Sequence, residues 1–409
     1  MIGRRKAGGR GAIAFILVTV MLDMLAMAIV IPVLPVLVLG FLGDNTARAA
    51  QVLGVFGTAW ALMQFVFSPV QGALSDRFGR RPVILLSNFG LGLDYVLMAL
   101  APGIGLLFVG RVISGITAAS MSTAGAYIAD VSPPEKRAAG FGLMSVAFGV
   151  GFILGPAVGG LLGQVDPRLP FWVAAGLSLT NAAYGFLILP ESLPLERRAA
   201  FSWRRANPVG ALRLLRAHTG LLGLASVNFL FFLSHQAFAV FVLYGNYRYG
   251  WNERMVGLTL AGVGACSAVV GGLVVRPVVR RFGERRSLIA GLLFGAAGFA
   301  IFGLAPTGWM FWIGIPVMSL WGLTSPAAQG LMTRHVSPGE QGQLQGANSS
   351  LMGLAGLIGP LLFTAIFAHF IAPGAWHVPG AAFLLAAALL AFAIPVASAV
   401  TRRADCTRA

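Results

Sequence analysis

Long apolar runs dominate the chain and decide what it can fold into. A helix that crosses a lipid bilayer needs about 20 consecutive, mostly apolar residues. Twelve such runs, numbered here as helices 1 to 12, lie at roughly 12–40, 50–73, 82–101, 104–126, 139–163, 170–189, 219–246, 254–275, 287–305, 308–331, 344–371 and 380–400. Only 10% of the 409 residues are charged, whereas soluble domains carry roughly 25% charged residues. The sequence therefore predicts an all-α membrane protein with twelve transmembrane helices.

The first apolar run follows Arg4, Arg5, Lys6 and Arg10, as the apolar core of a signal peptide follows its basic residues. This run is too long for a cleaved signal, contains Asp23, and lacks a small-residue cleavage site in the usual place. We therefore interpret it as helix 1.

Basic residues concentrate on one side of the predicted membrane. The two termini and the loops from even to odd helices hold 24 of the 29 Lys and Arg residues, and the opposite side holds four. Since cytoplasmic loops are enriched in Lys and Arg, we expect a multi-pass protein of the inner (cytoplasmic) membrane with both termini in the cytoplasm. This asymmetry and the attraction to anionic lipids account for the net charge of +16. Nucleic-acid binding, the other usual reason for a basic chain, is not expected.

The two halves of the chain repeat one another at a constant offset, so that position 77 corresponds to position 281. Three pairs of segments match at this offset: Arg77–Arg81 with Arg281–Arg285, Gly155-Pro156 with Gly359-Pro360, and Ala101-Pro102 with Ala305-Pro306. The repeat predicts an N-terminal six-helix bundle (1–189), a cytoplasmic linker (190–218) and a C-terminal six-helix bundle (219–409). Two parallel halves of this kind are typical of secondary transporters, whose site lies at the membrane midplane between the halves.

Several motifs resemble those of the major facilitator superfamily over the whole chain. They are residues 72–82 between helices 2 and 3 (GALSDRFGRRP), Gly110-Arg111 with Gly115 and Ala119 in helix 4, and Gly151, Gly155-Pro156 and Gly159-Gly160 in helix 5. In that superfamily the first is the signature loop, the second a proton-coupling motif, and the third a pattern characteristic of antiporters. The resemblance implies the major facilitator fold.

A closer resemblance is to the drug/proton antiporters of the tetracycline-efflux type. It is carried by Leu22-Asp23, Asp94-Tyr95, Ala124–Asp130, Pro190-Glu191-Ser192, Gln341–Gly346 and Gly359–Ile366. The resemblance implies a proton-coupled secondary transporter, without a cofactor, that exports amphiphilic drugs by alternating access; we expect a monomer. Tetracycline exporters carry a histidine in helix 8 and an aspartate in helix 9, where this chain has Ser267 and Gly295. This departure leaves open whether a metal-chelated tetracycline is exported.

Three charged residues lie well inside the predicted spans: Asp23 in helix 1, Asp94 in helix 3 and Arg111 in helix 4. A charge at the bilayer centre costs at least about 2.5–3.5 kcal/mol and therefore needs a partner or a water-lined cavity. Counted from the helix ends at about 1.5 Å per residue, all three fall in one layer near the midplane. Desolvation favours the neutral carboxyl group and a nearby arginine favours the charged one, so we expect proton coupling here. A static ion pair within the N-terminal bundle is the alternative.

The signature loop carries both signs of charge at the cytoplasmic ends of two helices. We expect a gating role for Asp76, Arg77, Gly79, Arg80 and Arg81, since Asp76 can cap a helix or accept from an arginine and Gly79 permits a tight turn. Asp130, at the cytoplasmic end of helix 4, is the expected helix-end or gating partner. The alternative is a solvated basic loop that serves topology alone.

Candidate substrate-binding residues lie in helices 2 and 7. His235 and Gln236 form a polar pair in helix 7 that would face the cavity on the superfamily plan, and they could equally be a structural hydrogen-bonding site. The resemblance to tetracycline exporters implies a role in substrate handling for Gln64. Trp60 could complete an aromatic and polar pocket with it. Packing or lipid-facing side chains are the alternative for both.

Glycines Gly151, Gly155 and Gly159 recur every four residues and share one face of helix 5. Small residues at this spacing allow close helix packing, and Pro156 predicts a kink. We expect helix packing from this face; a contact with the other half that limits leak is implied only by the resemblance.

The leading hypothesis is therefore a drug exporter, and a proton symporter that takes up a small metabolite is the alternative on the same fold. A sensor built on a transporter fold is disfavoured by the charges kept within the membrane. No phosphate-binding loop, nucleophile elbow or Cys/His metal cluster occurs in a plausible context, and the two cysteines, Cys266 and Cys406, lie far apart in the sequence. We therefore expect neither an enzyme nor a metal site.

Overall fold

A computed structural model describes residues 9–118, 120–133, 136–199, 214–215, 219–337 and 340–406, and all regular elements in these ranges are helical. The first six membrane helices are helix 1 (Gly9–Val30 and Leu34–Phe41), helix 2 (Thr46–Phe78), helix 3 (Arg80–Ala99), helix 4 (Ile104–Thr117 and Ser120–Val131), helix 5 (Arg137–Val165) and helix 6 (Leu169–Ile188). The short 3-10 helix Leu195–Arg197 follows. Most of the rest of the predicted linker, including residues 200–213, lies outside the described residues.

The second six helices repeat the plan. They are helix 7 (Thr219–His235, Gln236–Val240 and Phe241–Tyr249), helix 8 (from Glu253 through a π-helical turn at Val270–Val274 to Phe282), helix 9 (284–304), helix 10 (Gly308–Ser319, Leu320–Leu323 and Thr324–Thr333), helix 11 (Gln341–Ile371) and helix 12 (Ala381–Cys406). Within the described residues nine helical stretches are long and apolar enough to cross a membrane. One of these stretches contains both helix 8 and helix 9, so the nine stretches account for ten of the twelve helices. The other two are the broken helices 4 and 10. The fold is the twelve-helix, two-bundle architecture that the sequence predicts.

Helices 1, 4, 7 and 10 are broken, and the breaks follow the repeat. Helix 1 is interrupted at residues 31–33, and helix 7 turns into a 3-10 helix at Gln236–Val240, close to the equivalent position of the second half. The first part of helix 4 ends at Thr117, and helix 10 becomes 3-10 at Leu320–Leu323, again at the equivalent position. The sequence predicts each of these spans as one continuous helix. The break in helix 1 contains Pro32, which has no backbone N–H to donate, whereas the 3-10 turn of helix 7 contains no proline.

Two glycines set the turns between helices 2 and 3 and between helices 8 and 9. Gly79 has φ 107° and Gly283 has φ 78°, a region that favours glycine because side chains are rarely accommodated there. These glycines occupy equivalent positions of the two halves, so the repeat extends to the conformation of the turns.

The chain forms two compact units, each built from three segments. The first comprises Met1–Leu37, Met63–Asn207 and Glu253–Ala261, and the second comprises Val38–Leu62, Pro208–Asn252 and Gly262–Ala409. The first unit thus includes the beginning of helix 8, and the second includes the first half of helix 2. The bundle boundaries expected from the sequence, at residues 189 and 219, stay a prediction.

Glycines allow the close helix packing behind this division. In the second unit, a Cβ atom on Gly57 of helix 2 would lie 2.8 Å from Pro360 Cβ of helix 11, and Thr58 Oγ1 donates to Leu357 O at 3.2 Å. In the first unit, Gly160 of helix 5 and Gly257 of helix 8 meet backbone to backbone, with a Cβ atom on either residue 3.0 Å from the other residue's Cα. Small residues let membrane helices approach in this way.

Arg168 and Arg248 cap the ends of helices. Arg168 donates to Ala99 O (3.0 Å) and Ala101 O (2.9 Å) at the end of helix 3. Arg248 donates to Ala305 O at 2.9 Å at the end of helix 9. Since the last carbonyls of a helix have no partner within the helix, these two arginines satisfy acceptors that include the equivalent positions 101 and 305 of the repeat.

Candidate transport site

Asp94 of helix 3 is a carboxylate buried within the membrane-spanning part of the first unit. It is 1% exposed, and neither carboxylate oxygen has a hydrogen-bond partner among the described residues. Arg111 of helix 4 acts on it electrostatically and donates to Ser114 Oγ at 2.9 Å. A Cβ atom on Gly110 would lie 2.9 Å from Asp94 Oδ1, so helix 4 approaches the carboxylate because position 110 has no side chain. A buried charge without hydrogen bonds is costly, and a carboxyl group in this setting is suited to carrying a proton.

Asp23 of helix 1 belongs to the same neighbourhood. It is buried, as is Tyr95 of helix 3, and Tyr95 is near enough to Asp23, Asp94 and Arg111 to experience the charge of each. The structure thus groups the three charged residues that the sequence selects, and Tyr95 lies among them.

Arg80 is the centre of a polar cluster at the turn between helices 2 and 3. Its guanidinium pairs with Asp76 Oδ1 at 2.6 Å and with Asp130 Oδ2 at 3.1 Å, and it donates to Ser75 Oγ at 2.6 Å. Ser192 Oγ donates to Asp130 Oδ2 at 3.2 Å. Three of the expected gating residues, Asp76, Arg80 and Asp130, therefore form one cluster that ties helices 2, 3 and 4 together.

Glu191 completes this turn, and the sequence assigned no role to it. Its carboxylate accepts from the backbone N–H groups of Arg80 (2.9 Å) and Arg81 (3.3 Å) at the start of helix 3. A negative charge there interacts favourably with the helix dipole. A Cβ atom on Gly79 would lie 2.7 Å from Glu191 Cδ, so Gly79 is needed for contact as well as for conformation. An exposed acid in a charged linker carries no sequence signal of such a role.

Arg77 and Arg81, the other two expected gating arginines, lie outside the Arg80 cluster. The Arg81 guanidinium donates to Phe186 O of helix 6 and lies 5.8 Å from the Phe186 ring centroid. The Arg77 guanidinium lies 5.1 Å from the ring centroid of Phe78. These two side chains contact aromatic rings at the ends of helices, while Arg80 contacts the acids.

His235 of helix 7 belongs to an aromatic group in the second unit. Its ring stacks on Trp321 of helix 10, with centroids 5.6 Å apart and planes at 27°. Phe231 and Phe299 pack against Trp321, with centroids at 4.8 and 5.4 Å, and Phe238 lies 5.7 Å from His235. His235 remains exposed in spite of these contacts. The breaks of helices 7 and 10 thus bring an accessible imidazole onto an aromatic surface, and the sequence did not select Trp321 because aromatic residues are common in membrane helices.

The remaining expected substrate residues are half-buried and occur in both units. Gln236 lies against helix 11, where a Cβ atom on Gly359 would overlap its side chain. Trp60 belongs to the second unit and Gln64 to the first. Each of these side chains has accessible surface.

The helix 5 glycines Gly151, Gly155 and Gly159 lie against helix 1. A Cβ atom on any of them would overlap the backbone of helix 1 or an alanine side chain of that helix. The contact with helix 8 comes instead from the adjacent face, where a Cβ atom on Gly257 would overlap Pro156 O. Pro156 lies within the continuous helix Arg137–Val165.

Gly295 of helix 9, one of the two departures from the tetracycline-exporter pattern, has no room for a side chain. A Cβ atom there would lie 2.8 Å from Leu390 Cδ1 and 3.2 Å from Trp321 Cβ. Ser267 of helix 8 is exposed. The absence of an aspartate at position 295 therefore accompanies close packing of helices 9, 10 and 12.

Three amides that the sequence does not single out form a hydrogen-bonded chain in the second unit. Asn228 Nδ2 of helix 7 donates to Asn348 Oδ1 of helix 11 at 3.2 Å, and Asn348 Nδ2 donates to Gln329 Oε1 of helix 10 at 2.7 Å. Their only signal in the sequence is that amides are rare in apolar spans. The chain links three helices by hydrogen bonds between side chains.

Comparison with known proteins places this geometry in a family. The Major Facilitator Superfamily model matches residues 16–324 and 267–405. The tetracycline resistance protein, class C, of Escherichia coli is 40% identical over 94% of this chain and 96% of that protein. The class G protein of Vibrio anguillarum is 36% identical over 95% of this chain and 97% of that protein. This chain belongs to the tetracycline resistance family of the major facilitator superfamily.

The family assignment confirms the resemblance inferred from the motifs. The crystal structure of the human organic anion transporter MFSD10 superposes with a TM-score of 0.71 at 24% identity, over 96% of this chain and 100% of that one, and shows the same fold. As a member of the major facilitator superfamily, the chain is a multi-pass membrane transporter of small molecules and not an enzyme.

Proposed function

We propose that this protein is a proton-coupled antiporter that exports amphiphilic drugs of the tetracycline type by alternating access. The observation that carries the proposal is Asp94, a carboxylate that is 1% exposed, has no hydrogen-bond partner among the described residues, and interacts electrostatically with Arg111. The tetracycline resistance proteins that the chain resembles over most of its length support the substrate class. The uptake symporter on the same fold has no comparable support.

In this proposal Asp94 carries the proton, and Arg111 and Asp23 tune it. A neutral carboxyl group suits a site without hydrogen-bond donors, and Arg111 stabilises the carboxylate once the proton leaves. Because the charges of Asp23 and Asp94 both act on Tyr95, both carboxyl groups cannot be ionised at low cost. Alternating access then exposes the carrier to one side of the membrane at a time, so that a proton enters as a drug leaves.

The drug would bind to residues of the second unit. The aromatic surface of His235 and Trp321 offers stacking to a planar ring system. Gln236 and Trp60 of the same unit, both half-buried, would add polar and aromatic contacts, and Gln64 stays a candidate from the sequence. This set does not depend on an acid at position 295, so export would not require the helix 9 aspartate of tetracycline exporters.

Gating would depend on the cluster around Arg80 at the cytoplasmic face. Its ion pairs join helices 2, 3 and 4, and its exchange of partners would accompany the change of access. Asp76→Asn should therefore slow cycling without abolishing drug binding. Equal losses of binding and transport would place Asp76 in the binding site instead.

We place the protein in the inner membrane as a monomer, with both termini in the cytoplasm. The basic residues on the side of the termini support this orientation. Alkylation of single cysteines introduced into the loops, from either side of intact cells, tests it.

Transport into inverted membrane vesicles tests the function. A pH gradient, acid inside, should drive tetracycline accumulation, and adding tetracycline should release protons from the vesicles. An uncoupler should abolish both. Accumulation that survives the uncoupler but needs ATP would refute proton coupling, and drug movement in the same direction as protons would indicate a symporter.

A further inference from the structure

The turns at the cytoplasmic ends of the two halves hold equivalent ion pairs with opposite polarity. In the first unit, Arg80 Nε pairs with Asp130 Oδ2 at 3.1 Å. In the second unit, Glu284 Oε2 pairs with Arg334 Nη2 at 2.8 Å. Positions 284 and 334 are the repeat equivalents of positions 80 and 130, so the repeat preserves the pair while acid and base exchange places.

The exchange changes how each pair interacts with the helices that carry it. Helix 9 begins at Glu284, directly after Gly283, and Arg334 caps the C-terminal end of helix 10. Acids at helix N-termini and bases at C-termini are both favoured by the helix dipole. Arg80 is the first residue of helix 3, and Asp130 lies in the last turn of helix 4. Both charges of the first pair therefore oppose their helices, whereas both charges of the second agree with theirs.

The surroundings of the two pairs differ in the same sense. Around Arg80, further acceptors compensate the unfavourable placement, since Asp76 pairs with its guanidinium at 2.6 Å and Glu191 accepts from its backbone N–H at 2.9 Å. Around Glu284, the fit is steric, because a Cβ atom on Gly330 of helix 10 would lie 2.6 Å from Glu284 Oε1 and 2.8 Å from its Cδ. The Glu284 side chain thus lies in a space that only glycine leaves open.

We propose that the two turns have different roles, with Glu284–Arg334 a permanent clamp of helices 9 and 10 and Arg80–Asp130 the pair that opens during the transport cycle. Glu284 and Arg334 are positioning residues, and they hold the inner end of the second unit rigid while the first turn exchanges partners. When Arg80 releases Asp130 it keeps Asp76 and Ser75 as acceptors. Opening the second pair instead takes the cation away from the Glu284 carboxylate, whose side chain is only 20% exposed, and an uncompensated buried charge is costly. The proposal rests on the proposed function only for its transport measurements.

The thermal stability of purified protein and the maximal transport rate per folded molecule test the difference. Glu284→Gln should lower the melting temperature by about 2–4 °C. It should leave the transport rate within about twofold of wild type, because a clamp that stays closed throughout the cycle does not limit the rate. Asp130→Asn should do the opposite, slowing transport at least about fivefold with little loss of stability. Arg286→Gln removes an exposed charge from the same turn and is the control, expected to change neither quantity.

Reversal of the second pair distinguishes the dipole argument from simple charge pairing. Glu284→Arg combined with Arg334→Glu restores opposite charges but sets both against their helices, so its melting temperature should stay below wild type. Full recovery of stability would refute the argument, as would a transport loss in Glu284→Gln equal to that in Asp130→Asn. If Glu284→Gln does not fold, Arg334→Lys replaces it, and a slowed rate per folded molecule would again refute the clamp. Failure of the proposed function would instead show as absent proton-driven export in the wild type, with the melting temperatures unaffected.

Discussion

Replacing Gly110 by alanine should separate helix 4 from the buried carboxylate of helix 3. The new Cβ atom would lie 2.5 Å from Met98 Cγ, 3.1 Å from Met98 Sδ and 2.9 Å from Asp94 Oδ1, whereas carbon atoms in contact normally lie about 3.5–4.0 Å apart. Met98 is fully buried and cannot move into solvent. Met98, Asp94 or the helices themselves must therefore shift.

The expected magnitude follows from the cost of overfilling a packed interior. Such substitutions cost about 1–3 kcal/mol, and a change of that size in the coupling between two groups corresponds to about 5- to 150-fold. We expect the maximal rate of proton-driven drug uptake into inverted vesicles to fall by a factor in this range. Drug affinity should stay within about twofold, because the substitution is in the first unit and the proposed aromatic surface belongs to the second.

Gly105→Ala is the matched control for this substitution. Gly105 lies on the same helix and is exposed, and a Cβ atom there would have no neighbour within 4 Å. Uptake driven by a pH gradient and drug binding at equilibrium are measured for both variants. A Gly110→Ala protein as active as Gly105→Ala would show that the geometry around Asp94 does not set the coupling.

Three further substitutions test other parts of the site. Asp94→Asn should still bind drug and exchange it without a gradient but lose accumulation driven by pH; full accumulation would assign proton coupling to another residue. Glu191→Gln, which weakens the cap on helix 3, should slow export about three- to tenfold, while Glu196→Gln, an exposed acid in the same linker, should match wild type; equal rates would contradict the capping role. Gly160→Ala would place a Cβ atom against helix 8 and should slow transport, whereas Gly149→Ala on the same helix meets nothing within 4 Å and should not; identical rates would show that this contact is dispensable.

Much of the fold could be predicted because membrane insertion depends on local properties of the chain. The apolar runs predicted the twelve helices, and the motif matches between the two halves predicted a repeat that the structure extends to turn glycines and helix breaks. The breaks themselves could not be predicted, since the helix 7 break at Gln236–Val240 contains no proline. They depend on how each helix packs against its neighbours.

The candidate site was predicted in part. Asp23, Asp94 and Arg111 were selected because charge within a span is costly wherever it occurs, and this cost can be estimated from sequence alone. That Asp94 has no hydrogen-bond partner among the described residues, and that Arg80 rather than Arg77 pairs with the acids, could not be predicted. Successive residues on a helix point about 100° apart, so partners are chosen by the rotation and register of packed helices.

By itself, the sequence determined that the chain crosses a membrane many times and that its two halves repeat. The length of an apolar run and the spacing of motifs can both be measured along the linear sequence. Only the tertiary structure decided that Trp321 stacks on His235 and that Arg80 pairs with Asp130 and Glu284 with Arg334 at equivalent positions. The physical reason is distance: hydrophobic burial acts residue by residue, whereas ion pairs, stacking and close glycine contacts act within a few ångströms. Residues that are well separated in the sequence come that close only after the helices have packed.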